Sequence, residues 1–166
     1  MQDSKKWLIV LDLDDTIIHT VQTIRGINVA LRPYVREFVS AFSSKCEFAI
    51  WSKGNKSYVR KVTSFFNKFR IDGEIIPFEV DWFFIWGLED CVEGEKILSK
   101  ISTVYPIYNR SNTIFIDDSV LNFKYNQDWY CIPVPKFIGY DYDTTFLRLL
   151  LEVHEFTSNL NLTEMS

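Results

Sequence analysis

Two pairs of carboxylates close two apolar runs, and their types and spacing suggest the chemistry open to this chain. Asp12 and Asp14 end the run that begins at Trp7, and Asp117 and Asp118 end the run Asn112 to Ile116. Side chains two residues apart on an extended chain point to the same side, so Asp12 and Asp14 repel unless a cation lies between them or one takes up a proton. Strand-end acids commonly cap helices. Capping does not explain two acids at each of two strand ends. A third apolar run, Cys46 to Trp51, ends at Ser52 and the polar turn Lys53-Gly54-Asn55. Adjacent parallel strands bring such ends together. Carboxylates beside a hydroxyl and a helix N-terminus make a hard, oxygen-lined site suited to Mg²⁺ and a phosphate group.

The elements that position these groups follow from periodicity. Runs such as Trp7-Leu8-Ile9-Val10-Leu11 lack polar alternation, as central parallel strands covered on both faces require. Open α/β sheets bind ligands in the crevice beyond the carboxyl ends of their strands. The sequence predicts an α/β fold with a central parallel sheet, one domain over 6–157 and a frayed tail over 158–166. His19 to Leu31 carries β-branched residues around Arg25-Gly26 and predicts a hairpin or flap bordering the site, with His19 packing or hydrogen-bonding at its base. Arg32-Pro33-Tyr34 opens a helix whose apolar face is Val35, Phe38, Val39 and Phe42. A helix is predicted over 55–69, with Tyr58, Val59, Val62, Phe65, Phe66 and Phe69 on one face. Lys53, Lys56, Arg60, Lys61 and Lys68 lie opposite, with no acid among them. The stretch 71–94 reads as a small insertion or extra sheet edge, its aromatic run Trp82 to Trp86 serving as core or as a dimer patch rather than a stacking platform for bases. A helix over 95–104, a strand over 131–134 and a helix over 146–156 complete the pattern.

Composition narrows the function classes. A formal charge of -4 means that the chain as a whole is no polyanion binder. The basic face near Ser52 keeps docking of a nucleic acid or a phosphopeptide open. No apolar run is long enough to span a bilayer, and the start lacks the apolar segment of a signal peptide, so an intracellular location, cytoplasmic or nuclear, is expected. Cys46, Cys91 and Cys131 are odd in number and widely spaced, which argues for buried thiols rather than disulfides or a zinc site.

The motif Asp12-Leu13-Asp14-Asp15-Thr16 resembles the first motif of the haloacid dehalogenase superfamily of phosphotransferases, Asp-x-Asp-x-Thr/Val after a strand. Leu11 to His19 is similar to the corresponding run of the FCP/SCP-type phosphatases that act on the RNA polymerase II C-terminal domain. Arg32-Pro33 with Glu37-Phe38, Ser52 with Tyr58, Glu95-Lys96-Ile97-Leu98 and Ile116-Asp117-Asp118-Ser119 follow in the same order at similar spacing, over roughly 6–156. The resemblance implies a Rossmann-like three-layer sandwich without a large cap, and a Mg²⁺-dependent phosphatase working through an aspartyl-phosphate.

In that reading Asp12 is the nucleophile and Asp14 the general acid and base. Mg²⁺ is held by Asp12, the Asp14 backbone carbonyl and Asp117, with Asp118 supporting or completing the shell. Ser52 bonds a phosphate oxygen, and Lys96 neutralises the phosphate and Asp12, with Lys100 as its competitor. Lys53, Thr16 and Arg32 are further candidates for the substrate side, Arg32 either orienting the site or anchoring the Arg-Pro turn. The sequence departs from the pattern at Ser52, which replaces a Thr, at Lys53 in a small-residue position, at Val120 in place of a Pro, and throughout 71–94. The implied substrate is phosphoserine or phosphothreonine in a protein. A 3′-end phosphatase acting on nucleic acid, a nucleotide phosphatase and a catalytically silent phospho-binding module are the alternatives.

Overall fold

The computed structural model describes residues 5–163. In chain order the elements are β1 (Trp7–Leu11), β2 (Ile18–Thr23), β3 (Gly26–Leu31), α1 (Val35–Phe42), β4 (Cys46–Trp51), α2 (Lys56–Thr63), β5 (Arg70–Ile71), β6 (Glu74–Ile75), β7 (Ile85–Trp86), α3 (Ser99–Val104), β8 (Thr113–Asp117), β9 (Tyr130–Pro133) and α4 (Thr145–Thr163). Every residue of β1 and β8 is buried, as strands covered on both faces must be. They lie in a five-stranded sheet of order β7-β4-β1-β8-β9, parallel at each pairing.

Alternate side chains of β1 feed two cores. Trp7, Ile9 and Leu11 pack with α1, α2 and α4, whereas Leu8 and Val10 pack with Leu98, Ile101 of α3, Tyr108 and Phe115. These are the three layers of the expected sandwich. Register then sets the site: Leu11 pairs with Ile50 on one side and Ile116 on the other, so Asp12, Ser52 and Asp117 emerge along one edge of the sheet. Packing of this kind specifies register strongly, because a slip by one residue would turn every side chain of β1 to the wrong core.

The hairpin expected after the acidic motif is β2–β3, and His19 sits at its base with Nδ1 2.8 Å from Asp15 Oδ1. The helix predicted over 55–69 stops at Thr63 and continues as a 3-10 turn over Ser64–Asn67. The insertion holds the β5–β6 hairpin and β7, which extends the sheet beside β4. Its aromatic run is core: Phe84 stacks on Trp86 at 4.0 Å, and Trp51 meets Trp86 edge-on at 4.9 Å. The helix predicted from Glu95 begins only at Ser99. Glu93 (φ 51°) and Gly94 (φ 77°) form a turn, and Asn126 Nδ2 holds the Lys96 carbonyl at 2.8 Å, so the chain cannot enter a helix sooner. The closing helix runs past its predicted end to Thr163, and 164–166 of the expected tail lie outside the described residues. All three cysteines are free, with only Cys46 fully buried. No helix is long and apolar enough to cross a membrane among the described residues.

Candidate active site

Asp12 leaves β1 directly and is 8% exposed. Its Oδ1 accepts a hydrogen bond from Lys96 Nζ at 2.8 Å. Asp117, fully buried at the end of β8, accepts from the same ammonium at 2.9 Å. One lysine cation therefore bridges two carboxylates from neighbouring strand ends. Asp117 also accepts from Asn122 Nδ2 at 2.9 Å and from the Ser119 N–H at 2.8 Å. Thr16 Oγ1 lies 3.1 Å from Asp12 Oδ2 and 2.9 Å from Asp118 Oδ1, and accepts the Asp118 N–H at 3.0 Å. With a single proton, the hydroxyl donates to one carboxylate at a time.

Asp12, Asp117 and Asp118 each offer an oxygen, all within 4.8 Å of one another. Octahedral Mg²⁺ with bonds of about 2.1 Å spaces its ligand oxygens about 3–4 Å apart, so a small contraction suffices. Three hard, anionic donors with a buried countercharge beside them fit that ion.

Burial dominates the electrostatics. It raises the Asp12 carboxyl to about 6 despite the opposing pull of Lys96. It also raises Asp117, which the charge of Asp12 pushes the same way. Burial alone would lower the Lys96 ammonium, but Asp12 and Asp117 more than reverse it and hold it above its ordinary value. A lysine so held stays charged at neutral pH. Asp14 is likewise raised by burial.

Asp14 points elsewhere than Asp12: its Oδ1 accepts from Tyr58 OH at 2.6 Å. Tyr58 stands in the first turn of α2, where its N–H is capped by Asn55 Oδ1 at 2.8 Å. A Cβ on Gly54 would lie 2.5 Å from the Tyr58 ring, so glycine at that turn is what lets the ring reach Asp14. Ser52 is buried, and its Oγ accepts the Gly54 N–H at 3.0 Å.

An open cavity of about 240 Å³ collects Asp12, Asp14, Ser52, Lys53, Lys96 and Asp117 on its wall. Thr16 and Asp118 are not on that wall; Thr16 bonds Asp118 and lies within hydrogen-bond distance of Asp12. Thr16 is fully buried, which corrects its expected place on the substrate side. Lys53 reaches the wall but pairs with Glu95 at 2.9 Å. Lys56 pairs with Asp90 at 3.5 Å. Asp90 of the insertion and Glu95 just after it thus cross the basic face that looked continuous in sequence. Lys100 is away from the carboxylates, donating to the Asp90 carbonyl at 2.7 Å, so geometry brings Lys96 and not Lys100 to the cluster.

Arg32 is a correction. Its guanidinium is buried, with Nε and Nη2 on Asp143 at 2.9 and 3.0 Å, Nη1 on the Thr16 carbonyl at 3.0 Å and Nη2 on Thr145 at 2.8 Å. Arg32 does not line the cavity. It ties the acidic loop to the start of α4. Changing Arg32 to Met takes the guanidinium from the Thr16 carbonyl and from Asp143, which keeps the Thr145 N–H, and should lower the unfolding free energy by about 3–5 kcal/mol in urea titration. A change under about 1 kcal/mol would show that the clamp does not carry the loop.

Two residues of the cluster escaped sequence reading. Asn122 bonds Asp117, and Asn126 holds the Lys96 and Asn122 carbonyls while accepting the Leu98 N–H at 2.9 Å. Both lie in the irregular stretch after Asp118, where no periodicity marks them.

A model of the NLI interacting factor-like phosphatase family matches residues 7–163. Ubiquitin-like domain-containing CTD phosphatase 1 of Drosophila melanogaster is 28% identical over 124 residues, which is 73% of this chain and 39% of the fly protein. The fission yeast RNA polymerase II CTD phosphatase bound to beryllium fluoride superposes with a TM-score of 0.54 at 20% identity, over 95% of this chain and 51% of that one. The 3-deoxy-D-manno-octulosonate 8-phosphate phosphatase of Moraxella catarrhalis, in complex with magnesium and phosphate ions, gives 0.57 at 13% identity, over 97% and 92% of the two chains. At such identities the structures speak for the fold. The chain spans about two fifths of the fly protein's length and about half of the fission yeast protein's. The family model covers the whole sheet and every residue of the carboxylate cluster, and the chain belongs to the NLI interacting factor-like phosphatases.

Proposed function

We propose that this chain is a Mg²⁺-dependent phosphomonoester phosphatase that acts through Asp12 on phosphoserine or phosphothreonine in a protein. The observation that carries it is the Lys96 ammonium held between Asp12 and Asp117 beside an uncapped cavity, with an Asp118 oxygen within 4.8 Å of an oxygen of each of those two carboxylates.

Asp12, Asp117, Asp118 and the Asp14 carbonyl would hold the ion, which supplies the positive charge that lets an anionic nucleophile meet an anionic phosphate. A carboxylate oxygen of Asp12 attacks phosphorus, and the ester P–O bond breaks as Asp14 gives its proton to the leaving oxygen. Water then attacks the phosphorus of the aspartyl-phosphate, Asp14 takes its proton, and Asp12 leaves as carboxylate. Lys96 stays charged beside both steps, and the Ser52 hydroxyl reaches a phosphate oxygen from the cavity wall. Tyr58 fixes the side of the cavity on which Asp14 waits.

A protein substrate is favoured over a nucleic acid because Glu95 and Asp90 neutralise Lys53 and Lys56 next to the cavity. The fly and fission yeast relatives are CTD phosphatases, which supports the same choice. Turnover should appear with p-nitrophenyl phosphate and Mg²⁺ and vanish with a chelator. In parallel assays a phosphoserine peptide should give a higher kcat/KM than a 3′-phosphorylated oligonucleotide. The reverse order would make the chain a nucleic-acid end phosphatase, and no turnover of any of the three would leave a binding module.

A further inference from the structure

β7 is the outermost strand of the sheet, and its outer side faces α2 across a groove. The ladder to β4 uses the Phe84 carbonyl (from Ile50 N–H, 3.0 Å) and the Trp86 carbonyl (from Ser52 N–H, 2.9 Å). The alternation of a parallel ladder turns the N–H and C=O of Ile85, between them, away from β4. The Ile85 side chain is 39% exposed. Cavities of about 490 and 250 Å³ lie on either side of it, and both are bounded by Thr63 and Ile85, so they are two halves of one groove.

The groove begins where the wall of the catalytic cavity ends. Gly54 belongs to that wall, and its carbonyl accepts the Leu88 N–H at 2.8 Å. Gly87, at the near end of the groove, packs so closely on Gly54 that a Cβ there would lie 2.8 Å from the Gly54 oxygen. From Lys56 to Asn67 the flanking helix and 3-10 turn extend about 18 Å, the length of five or six extended residues. Charge changes sign along the way. Arg60, without an ion-pair partner among the described residues, lies at the near end, Phe66 and Trp82 line the middle, and Glu79 and Asp81 stand at the far end.

We propose that this groove binds an extended segment of the protein substrate, paired with the free edge of β7 at Ile85, with an acidic residue near Arg60, an apolar residue over Phe66 and Trp82, and a basic residue at Glu79 and Asp81. Strand addition beside a helix is a known way to hold a peptide, in which main-chain bonds give affinity and alternate side chains give specificity. A nucleic-acid strand carries a negative charge on every phosphate, and the acidic far end would repel it. The inference rests on the protein-substrate reading of the catalytic site, but its test does not need catalysis.

A fluorescent peptide of that charge order, without phosphate, is titrated with the full chain by anisotropy. Arg60→Glu, an exposed change on α2, should weaken it about tenfold and should strengthen a peptide whose acidic residue is replaced by lysine. Thr63→Arg, which fills the junction of the two halves, should weaken both peptides and leave kcat and KM for p-nitrophenyl phosphate unchanged. Equal binding by parent and variants, no binding by the parent, or preferential binding of a single-stranded oligonucleotide would each overturn the groove. Peptide binding that follows these charges, without hydrolysis of the phosphopeptide, would keep the groove and overturn the catalytic reading.

Discussion

Replacing Asp12 by Asn is expected to cut Mg²⁺-dependent turnover of p-nitrophenyl phosphate by at least about 10⁴-fold while the metal-free variant melts no lower than the parent. The loss follows from the proposed chemistry: an amide cannot form the acyl phosphate, and no neighbouring carboxylate is placed to take over. Asp14 is turned to Tyr58, and Asp117 is fully buried behind Lys96. The melting behaviour follows from burial. The Asp12 carboxyl, raised to about 6 from an ordinary 3.8, costs the folded state roughly 3 kcal/mol when ionised. Because its folded value is the higher one, the native state holds a proton that the unfolded chain releases, so the cost is complete above about 6 and is relieved as pH falls towards 4. Asn carries no such cost, although it weakens the bond to Lys96. Scanning calorimetry without Mg²⁺ should therefore show the variant level with the parent or a few degrees above it at pH 7.5, with any advantage shrinking at pH 5. Added Mg²⁺ should raise the parent's midpoint more than the variant's. A variant that turns over at a tenth of the parental rate would remove Asp12 as nucleophile.

What could be seen in the sequence was whatever is encoded locally. Asp12 and Asp117 stand at the ends of continuous apolar runs, and strands of that type in one parallel sheet must present their ends together. The hairpin after His19 and the apolar face of α1 are similarly local. What could not be seen depends on partners far along the chain. Arg32 is open in sequence to orienting the site or anchoring the Arg-Pro turn, and what decides between them is Asp143, which lies 111 residues away and claims two of its donors. The basic face of 53–68 is uniform on a helical wheel, but Glu95 and Asp90 from the neighbouring loop reach across it. Lys96 could be named by motif but not placed, since the turn at Glu93-Gly94 and the amide of Asn126 hold it ahead of α3 instead of on a helix face.

That placement makes Lys96 the residue whose loss should do most harm to both fold and activity. Changing it to Met keeps the length and apolar stem of the side chain and removes only the charge. Asp12 and Asp117, whose oxygens are 2.8 and 2.9 Å from the ammonium, then face each other without their shared countercharge. Breaking a buried pair in this way costs about 3–5 kcal/mol, because the partner charges stay buried. Turnover should fall about 10²–10³-fold as the charge beside the reacting phosphate is lost. Two features separate this from a simple packing defect. Both carboxylates are already raised by burial and rise further together, so lowering the pH from 8 towards 6 should stabilise the variant more than the parent as one of them takes up a proton. A divalent ion among Asp12, Asp117 and Asp118 replaces the missing charge, so the Mg²⁺-induced rise in melting temperature should be larger in Lys96→Met than in the parent. If instead the variant lost stability equally at every pH and ignored Mg²⁺, Lys96 would be filling space, and the two carboxylates would have to be neutral in the folded protein.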